Sequence, residues 1–237
     1  MRDMSRATVT VRVAAPLRFL LPVRHRHGEV VVPVDPDVTV GHVVEALGVP
    51  HTEFGGLVVN GQAVEPSARL SPGDVVEVLD LPRPQPVPYQ RFLLDVHLGA
   101  LARRMRLLGL DAAYSNDADD DELAEQALAE GRVLLTQDRG LLRRRAVVAG
   151  GYVRGSRADQ QLADVLERFA PELRPWTRCP TCNGDLAEVA KHEVEHLLPA
   201  GTRRSYTQFS RCTECARLYW RGAHATHLES IVATATG

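Results

Sequence analysis

The spacing of apolar residues predicts strands and one helix in the first part of the chain. Four short segments have the alternating or continuous apolar pattern of strands: residues 8–13, 29–34, 57–59 and 75–79. Between the second and third, apolar residues at helical spacing lie between a capping Thr39 and Gly48, which is placed to end a helix. The predicted order for residues 1–80 is therefore ββαββ.

A proline-rich segment, LPRPQPVPYQ, follows at residues 81–90. Proline fixes its own φ and lacks an N–H, so this composition favours an extended, semi-rigid spacer. We interpret the segment as a linker between an N-terminal domain, residues 1–80, and two further units, residues 91–172 and 173–237.

Residues 91–172 alternate short apolar runs with amphipathic segments, a pattern typical of a parallel sheet with helices on its faces. Strands are predicted at residues 92–94, 112–115, 133–136 and within 147–154, and helices at 97–108, 120–130 and 158–169. In the first of these helices the apolar residues share one face, and Arg103, Arg104 and Arg106 are predicted on the other. The predicted fold class is α/β, preceded by a small α+β domain.

Acidic residues gather where such sheets build their sites. Asp95 and Asp138 each follow a predicted strand, and Asp117, Asp119 and Asp120 crowd the start of a predicted helix. Carboxylates brought together repel one another unless a cation lies among them, and Mg²⁺ or Mn²⁺ is the usual partner. The pattern indicates metal-assisted hydrolysis of a phosphodiester.

Each of these acids also has a structural interpretation that stays open. Asp119 or Asp120 can cap the following helix, with Glu122 placed to complete a capping box, and Asp138 can cap the next short helix. Thr136 lies two residues before Asp138; its hydroxyl can orient the acid or contact phosphate, or simply end a strand. His97, at a helix start, is left out of the catalytic set.

The motifs of residues 91–224 resemble a known family. They are RFLLD, LARRMRLLG, YSNDADDDEL, EGRVLLTQDRGLL and a cysteine-containing ribbon ending in YWRGAH. They are similar to the Mut-seven C-terminal RNase family of PIN-like proteins. The resemblance implies a PIN-like ribonuclease in which Asp95, Asp120 and Asp138 take three of the acidic positions. The acid that many PIN domains carry on the intervening helix has no clear counterpart here, and Asp117, Asp119 or Asp121 are the candidates to replace it.

The N-terminal motifs VVNGQAV and LSPGDVVEVL resemble the β-grasp, ubiquitin-like fold of sulphur-carrier proteins. Those carriers act through a free Gly-Gly terminus, whereas this domain continues into the proline-rich segment. We therefore do not expect carrier chemistry or a sulphur-transfer accessory role. Docking, RNA contact and an aid to folding or solubility all stay open for this domain.

Four cysteines lie in two CxxC pairs, Cys179 with Cys182 and Cys212 with Cys215. Paired CxxC motifs are typical of a closed structural zinc site, and disulfides are the competing interpretation. Basic and aromatic residues surround these pairs: Arg203, Arg204, Tyr206, Phe209, Tyr219, Trp220, Arg221 and His224. They can contact unpaired bases and phosphates, or pack the ribbon, and both interpretations stay open.

Composition adds limits to this picture. The 28 basic and 30 acidic residues give a net charge of −2, so the chain as a whole is not a polybasic binder. Lys191 is the only lysine; arginine suits phosphate contacts, although a GC-rich genome gives the same bias. The candidate RNA-binding residues are Arg103, Arg139, Arg143 and Arg144, for which an ordinary solvated face is the alternative.

The 237 residues contain no apolar run long enough for a membrane span and no apolar signal-like segment at the start, so we expect a cytoplasmic protein. We predict a Mg²⁺- or Mn²⁺-dependent ribonuclease with a structural Zn²⁺, acting on single-stranded or structured RNA such as tRNA or other translation-related RNA. The alternative is a catalytically silent RNA- or ribosome-binding module centred on the zinc ribbon.

Overall fold

The computed structural model describes residues 7–220, which carry three sheets of five, four and three strands. We call the residues around these sheets the N-terminal, central and C-terminal units. Arg221 and His224, named above as candidate RNA contacts, lie outside the described residues. Among the helices described, none has the length and apolar character needed to cross a membrane.

The N-terminal unit has the β-grasp arrangement predicted for it, with one extra strand. Its elements are β1 (Thr8–Val13), β2 (Val30–Pro33), α1 (Val40–Ala46), β3 (Phe54–Val59), β4 (Gln62–Val64) and β5 (Val75–Asp80). The strand order is β2-β1-β5-β3-β4, with β1 and β5 parallel at the centre. Thr39 caps α1 as predicted, accepting a hydrogen bond from the His42 N–H (3.3 Å). The pattern analysis missed β4 because this strand is short and mostly exposed.

The central unit is a parallel sheet covered by helices on both faces. Its elements are β6 (Arg91–Leu94), α2 (Gly99–Leu107), β7 (Asp111–Tyr114), α3 (Asp120–Glu130), β8 (Val133–Thr136), β9 (Gly150–Tyr152) and α4 (Ala158–Phe169). The strand order is β7-β6-β8-β9, and every neighbouring pair is parallel. This confirms the predicted α/β class.

Alternate residues of the central strands enter two different cores. Phe92 and Leu94 pack in the core that α2 and α4 cover, whereas Leu93 packs with residues of α3. Strands covered on both faces are continuously apolar, as the sequence showed. The chain leaves β6 towards β7 and returns to β8 on the other side of β6, so the crevice at the carboxyl ends of β6 and β8 is the topological switch point of the sheet.

The prediction that Arg106 lies on a solvent-facing side of its helix was wrong. Arg106 is only 5% exposed; its Nε–H donates to the Ala112 carbonyl (2.8 Å) and an Nη1–H to the Thr181 carbonyl (2.9 Å). Helical periodicity identifies the face that packs on the sheet, but it does not reveal that the C-terminal unit covers α2 from another direction.

The C-terminal unit is a small antiparallel sheet with two short helices. It contains β10 (Leu186–Val189), α5 (Lys191–Val194), α6 (Ala200–Ser205), β11 (Phe209–Cys212) and β12 (Leu218–Trp220). Phe209 is buried, and Tyr206 and Trp220 pack against the same cluster, which fits the packing interpretation for these aromatic residues. Arg203 and Arg204 are exposed on α6.

A buried ion pair joins the N-terminal and central units. Arg168 of α4 is 3% exposed and Glu53 is 2% exposed; Arg168 Nη1 lies 3.0 Å from Glu53 Oε2. Glu53 Oε1 also accepts a hydrogen bond from the Tyr152 N–H (2.8 Å) of β9. Gln85 of the proline-rich segment donates its N–H to the Arg168 carbonyl (2.6 Å), so this segment lies against α4 rather than standing free as a spacer.

We predict that Glu53→Gln lowers the free energy of unfolding by about 3–5 kcal/mol, because the buried guanidinium of Arg168 loses its counter-charge. The matched control is Glu29→Gln, which removes the same charge from the exposed ion pair with Arg12 and should cost less than about 1 kcal/mol. Equilibrium urea denaturation of both variants measures the difference. Equal losses in the two variants would show that the buried pair does not stabilise the fold.

Candidate active site

Three of the five candidate catalytic aspartates line one cavity. Asp95, Asp120 and Asp138 border an open cavity of about 720 Å³ at the carboxyl ends of β6 and β8. Asp117 and Asp119 do not line it. The structure therefore brings together the three acids that the family resemblance singled out and leaves the two additional candidates aside.

The register of β6 and β8 connects Asp95 to Asp138 through Thr136. Leu94 lies opposite Leu135, so the residues that follow them, Asp95 and Thr136, are neighbours. The fully buried Thr136 donates its hydroxyl hydrogen to Asp95 Oδ2 (2.5 Å) and accepts the Asp138 N–H on the same oxygen (2.8 Å). Thr136 thus orients the side chain of one acid and the backbone of the other.

Two of the cavity acids have no cationic partner in the described part of the chain. Asp95 is 6% exposed, and neither Asp95 nor Asp138 forms an ion pair within residues 7–220. A buried carboxylate is costly unless it is paired, protonated or bound to a metal. This arrangement fits a cation bound between the acids.

Asp120, the first residue of α3, is placed differently. Its Oδ2 lies 3.4 Å from Nη2 of Arg144, and Arg144 also pairs with the exposed carboxylate of Asp121. Arg144, a candidate RNA-binding residue, is therefore engaged by acids at the start of α3. A cation in the cavity and Arg144 would share the carboxylate of Asp120.

The two remaining aspartates make local hydrogen bonds. Asp119 is the N-cap of α3: its Oδ1 accepts the N–H groups of Asp121 and Glu122, both at 2.9 Å, and Glu122 accepts the Asp119 N–H in return (3.0 Å). This is the capping box that the sequence left open as an alternative. Asp117 accepts the Ser115 hydroxyl (2.5 Å).

Of the four candidate RNA-binding arginines, two border the cavity, whereas Arg103 and Arg144 do not. Arg139 and Arg143 line it, and each donates to a backbone carbonyl of the N-terminal unit: Arg139 to Leu20, and Arg143 to Glu45 (3.3 Å). Arg103 is exposed on α2 and lines a separate pocket of about 500 Å³ beside the C-terminal unit. His97, which sequence analysis set aside, also lines the acidic cavity; its position two residues after Asp95 was the available signal.

The four cysteines form a compact group. Their sulfur atoms all lie within 4.8 Å of one another, with Cys179 and Cys215 at 3.7 Å and Cys182 and Cys212 at 3.4 Å. Four bonds of about 2.3 Å in a tetrahedron place sulfur atoms about 3.8 Å apart, so the spacing fits one tetrahedral metal ion. All four thiols are free, which disfavours the disulfide alternative.

Hydrogen bonds favour the thiolate of Cys179. Burial alone would raise its pKa, but the Tyr219 hydroxyl (3.0 Å) and the N–H groups of Cys182 and Thr181 lower the pKa to about 6. Metals bind the thiolate form of cysteine. The local hydrogen bonds therefore prepare this sulfur as a ligand.

A charged network attaches the cysteine-rich unit to the edge strand β7. Asp111 accepts hydrogen bonds from Arg132 (2.7 Å) and Asn183 (2.8 Å), and Asn183 Oδ1 accepts the Ala112 N–H (3.0 Å). Burial opposes ionisation of Asp111, but these bonds outweigh it and lower its pKa. The C-terminal unit is thus fixed to β7, the edge strand beside β6. The acids lie elsewhere, at the carboxyl ends of β6 and β8.

The fold and its two sites define an α/β protein with an acid-lined cavity at the switch point of a parallel sheet and a separate group of four cysteines at metal-ligand spacing. Residues 90–232 match the Mut7-C RNAse domain, and residues 6–86 match the Mut7-C ubiquitin domain. The chain belongs to the Mut7-C RNAse domain family, a family of nucleases, and the resemblance stated from its sequence motifs is confirmed.

A similar curated protein is the exonuclease mut-7 homolog of Homo sapiens, 33% identical over 117 residues. The alignment covers 46% of this chain and 13% of the human protein, so this chain spans a small part of that relative. Two crystal structures of the small archaeal modifier protein 1 of Haloferax volcanii are also similar, each 23% identical. They cover 31% and 35% of this chain and 97% and 98% of the modifier, with TM-scores of 0.27 and 0.25.

Proposed function

We propose that this protein is a PIN-like ribonuclease that depends on Mg²⁺ or Mn²⁺ and hydrolyses unpaired RNA. The observation that carries the proposal is the pair formed by Asp95, which is buried, and Asp138, which is exposed. Thr136 connects the two acids, and no cation of the described residues neutralises either of them. Membership of a nuclease family supports hydrolysis of nucleic acid, and the family's description as an RNAse domain favours RNA over DNA. Among cellular RNAs, tRNA and other RNAs of translation are our first candidates.

The donor chemistry of the cavity fits a hard divalent cation. Asp95, Asp120 and Asp138 offer carboxylate oxygens, the ligands that Mg²⁺ and Mn²⁺ prefer. These oxygens are not grouped as closely as the four sulfurs, but Mg²⁺ keeps several bound waters and needs few direct protein ligands. When bound, such an ion supplies activation of a water molecule and stabilisation of negative charge on the leaving oxygen.

The chain's own residues have separate tasks in this proposal. Thr136 holds Asp95 in one orientation, and the Gly140 N–H, donating to Asp138 Oδ1 (2.6 Å), holds Asp138. Arg139 and Arg143 bring positive charge to the cavity wall, where guanidinium groups bind phosphate oxygens. Arg144 partly neutralises Asp120 whenever the acids lack a metal.

We also propose that the four cysteines hold a structural Zn²⁺. Cys179, Cys182, Cys212 and Cys215 provide four soft sulfur ligands at tetrahedral spacing and leave no open position for a substrate. The ion would connect the two CxxC turns, which lie 30 or more residues apart in the sequence. Its role is to stabilise the unit that covers α2 and β7.

For the zinc site, we expect about one zinc ion per chain by elemental analysis. Cys182→Ser with Cys215→Ser should abolish zinc binding and unfold the C-terminal sheet, because structural zinc contributes directly to folding. Thr213→Ser, beside Cys212 in the second turn, is the matched control and should retain the metal. Recovery of intact disulfides without metal would overturn the assignment.

For the aspartates, we predict that Asp95→Asn with Asp138→Asn lowers cleavage of labelled single-stranded RNA at least about 100-fold, because loss of metal stabilisation costs several kcal/mol of the barrier. Cleavage by the unaltered chain should require Mn²⁺ or Mg²⁺ and stop with EDTA. The control is Asp159→Asn with Asp185→Asn, which removes the same charge from two exposed ion pairs.

The control pair should cleave at the wild-type rate, and both double variants should still bind RNA. Unchanged cleavage by the Asp95→Asn/Asp138→Asn protein would contradict the assignment of these acids. RNA binding without any cleavage by the wild type would instead favour the catalytically silent binding module.

A further inference from the structure

The acidic cavity has a second wall that belongs to the ubiquitin-like N-terminal unit. Besides residues of the central unit, four N-terminal residues line it: Pro22, Ala46, Leu47 and Gly48. They come from the end of α1 and from the segment between β1 and β2. The cavity therefore lies between two units and is not a feature of the nuclease sheet alone.

This wall is held in a fixed position. The buried pair of Arg168 and Glu53 joins the two units, and His51 Nε2 lies 2.9 Å from the Val147 carbonyl. The rings of Phe19 and Tyr152 also pack across the junction, with centroids 5.4 Å apart. The N-terminal unit is held by a buried ion pair, hydrogen bonds and ring packing. It is therefore not arranged to separate from the central unit and act as a free carrier protein.

The same wall orients two cations. Arg139 donates to the Leu20 carbonyl and Arg143 to the Glu45 carbonyl, and neither forms an ion pair within the described residues. A neutral carbonyl fixes a guanidinium through one of its five donors and leaves its charge and its other donors available. Both arginines line the cavity that contains the aspartates.

Gly48 makes this close approach possible. Its φ is +103°, and a Cβ atom at this position would lie 3.1 Å from the Leu20 carbonyl oxygen and 3.7 Å from Arg139 Nη1. A larger residue would strain the backbone and crowd the contact between Arg139 and Leu20. The N-terminal unit is shaped to accept this arginine.

We infer that the ubiquitin-like unit is a permanent wall of the nuclease site: it positions Arg139 and Arg143 to bind backbone phosphates and restricts the substrate to an unpaired strand. The inference rests on the proposed function and assigns its restriction to unpaired RNA to the N-terminal wall of the cavity. A cavity of about 720 Å³ has the size of a small-molecule site, which matches a short stretch of single strand.

Ala46 offers a direct test because it is exposed, lines the cavity and lies on the N-terminal wall. The full-length variants are Ala46→Glu and Ala46→Lys, and the control is Ala63→Glu on β4, an exposed position outside the cavity. Affinity for a labelled single-stranded RNA is measured by fluorescence anisotropy at low salt in buffer without added Mg²⁺ or Mn²⁺. Cleavage of the single strand and of the matching duplex is measured separately with Mn²⁺.

Ala46→Glu should weaken RNA binding about five- to tenfold through repulsion of phosphate, Ala46→Lys should strengthen it severalfold, and Ala63→Glu should stay within about twofold of wild type. These differences should shrink at high salt. The wild type should cleave the single strand at least about tenfold faster than the duplex. A folding defect would weaken binding in both Ala46 variants alike, whereas the inference requires opposite effects.

The possible failures are distinguishable. The wall inference is wrong if Ala46→Glu binds like Ala63→Glu, if Glu and Lys at position 46 act alike, or if duplex is cleaved as fast as single strand. Metal-dependent cleavage would in each case still support the assignment as a metal-dependent ribonuclease. If the wild type does not cleave but the two Ala46 variants change RNA affinity in opposite directions, the wall stands and the proposed function fails.

Discussion

The central sheet has two edges with unpaired backbone groups, and the rest of the structure depends on how these edges are covered. An exposed edge strand offers N–H groups to any other chain, so native proteins cover or pair it. Here Asn183 accepts the Ala112 N–H of β7, and Glu53 accepts the Tyr152 N–H of β9. Both flanking units therefore attach through a side-chain oxygen at a sheet edge. The crevice at the ends of the inner strands β6 and β8 lies away from both edges and contains the acids.

Two acids of the central unit, Asp111 and Asp95, have different surroundings. Asp111 is surrounded by Arg132, Arg178 and Asn183. Burial alone would raise the pKa of Asp111, but these three partners outweigh burial and lower it. Asp95 is more deeply buried, yet among the described residues its carboxylate receives a hydroxyl from Thr136 and no cation. Arginine pairs with Asp111 and with Glu53, the acids at which the two flanking units attach, and the contrast supports an external cation at Asp95 and Asp138.

The sequence was sufficient for features that depend on local pattern. The strands β6 and β8, the helix α4 and the grouping of the four cysteines follow from apolar runs, helical spacing and the CxxC motif, because each is determined by nearby residues or by one metal-binding geometry. The convergence of Asp95 and Asp138 was also predictable, since both follow strands of one parallel sheet.

Features that depend on contacts between units were not predictable. Arg106 looked like a solvent-facing residue because nothing in its own helix indicates the C-terminal unit above it. Nothing in the sequence indicates that Glu53 pairs with Arg168, which lies 115 residues further along the chain. The choice between Asp119 and Asp120 as the helix cap needed backbone geometry, since both have a suitable side chain. For the same reason, the N-terminal wall of the cavity became visible only in the folded chain.

The central claim, that the paired acids bind a divalent cation, is tested most directly by anomalous diffraction from crystals of the full-length protein soaked in Mn²⁺. The account predicts a manganese peak in contact with the carboxylates of Asp95 and Asp138, near Asp120. A fully occupied peak elsewhere, or no peak in this cavity at Mn²⁺ concentrations that support cleavage, would contradict it.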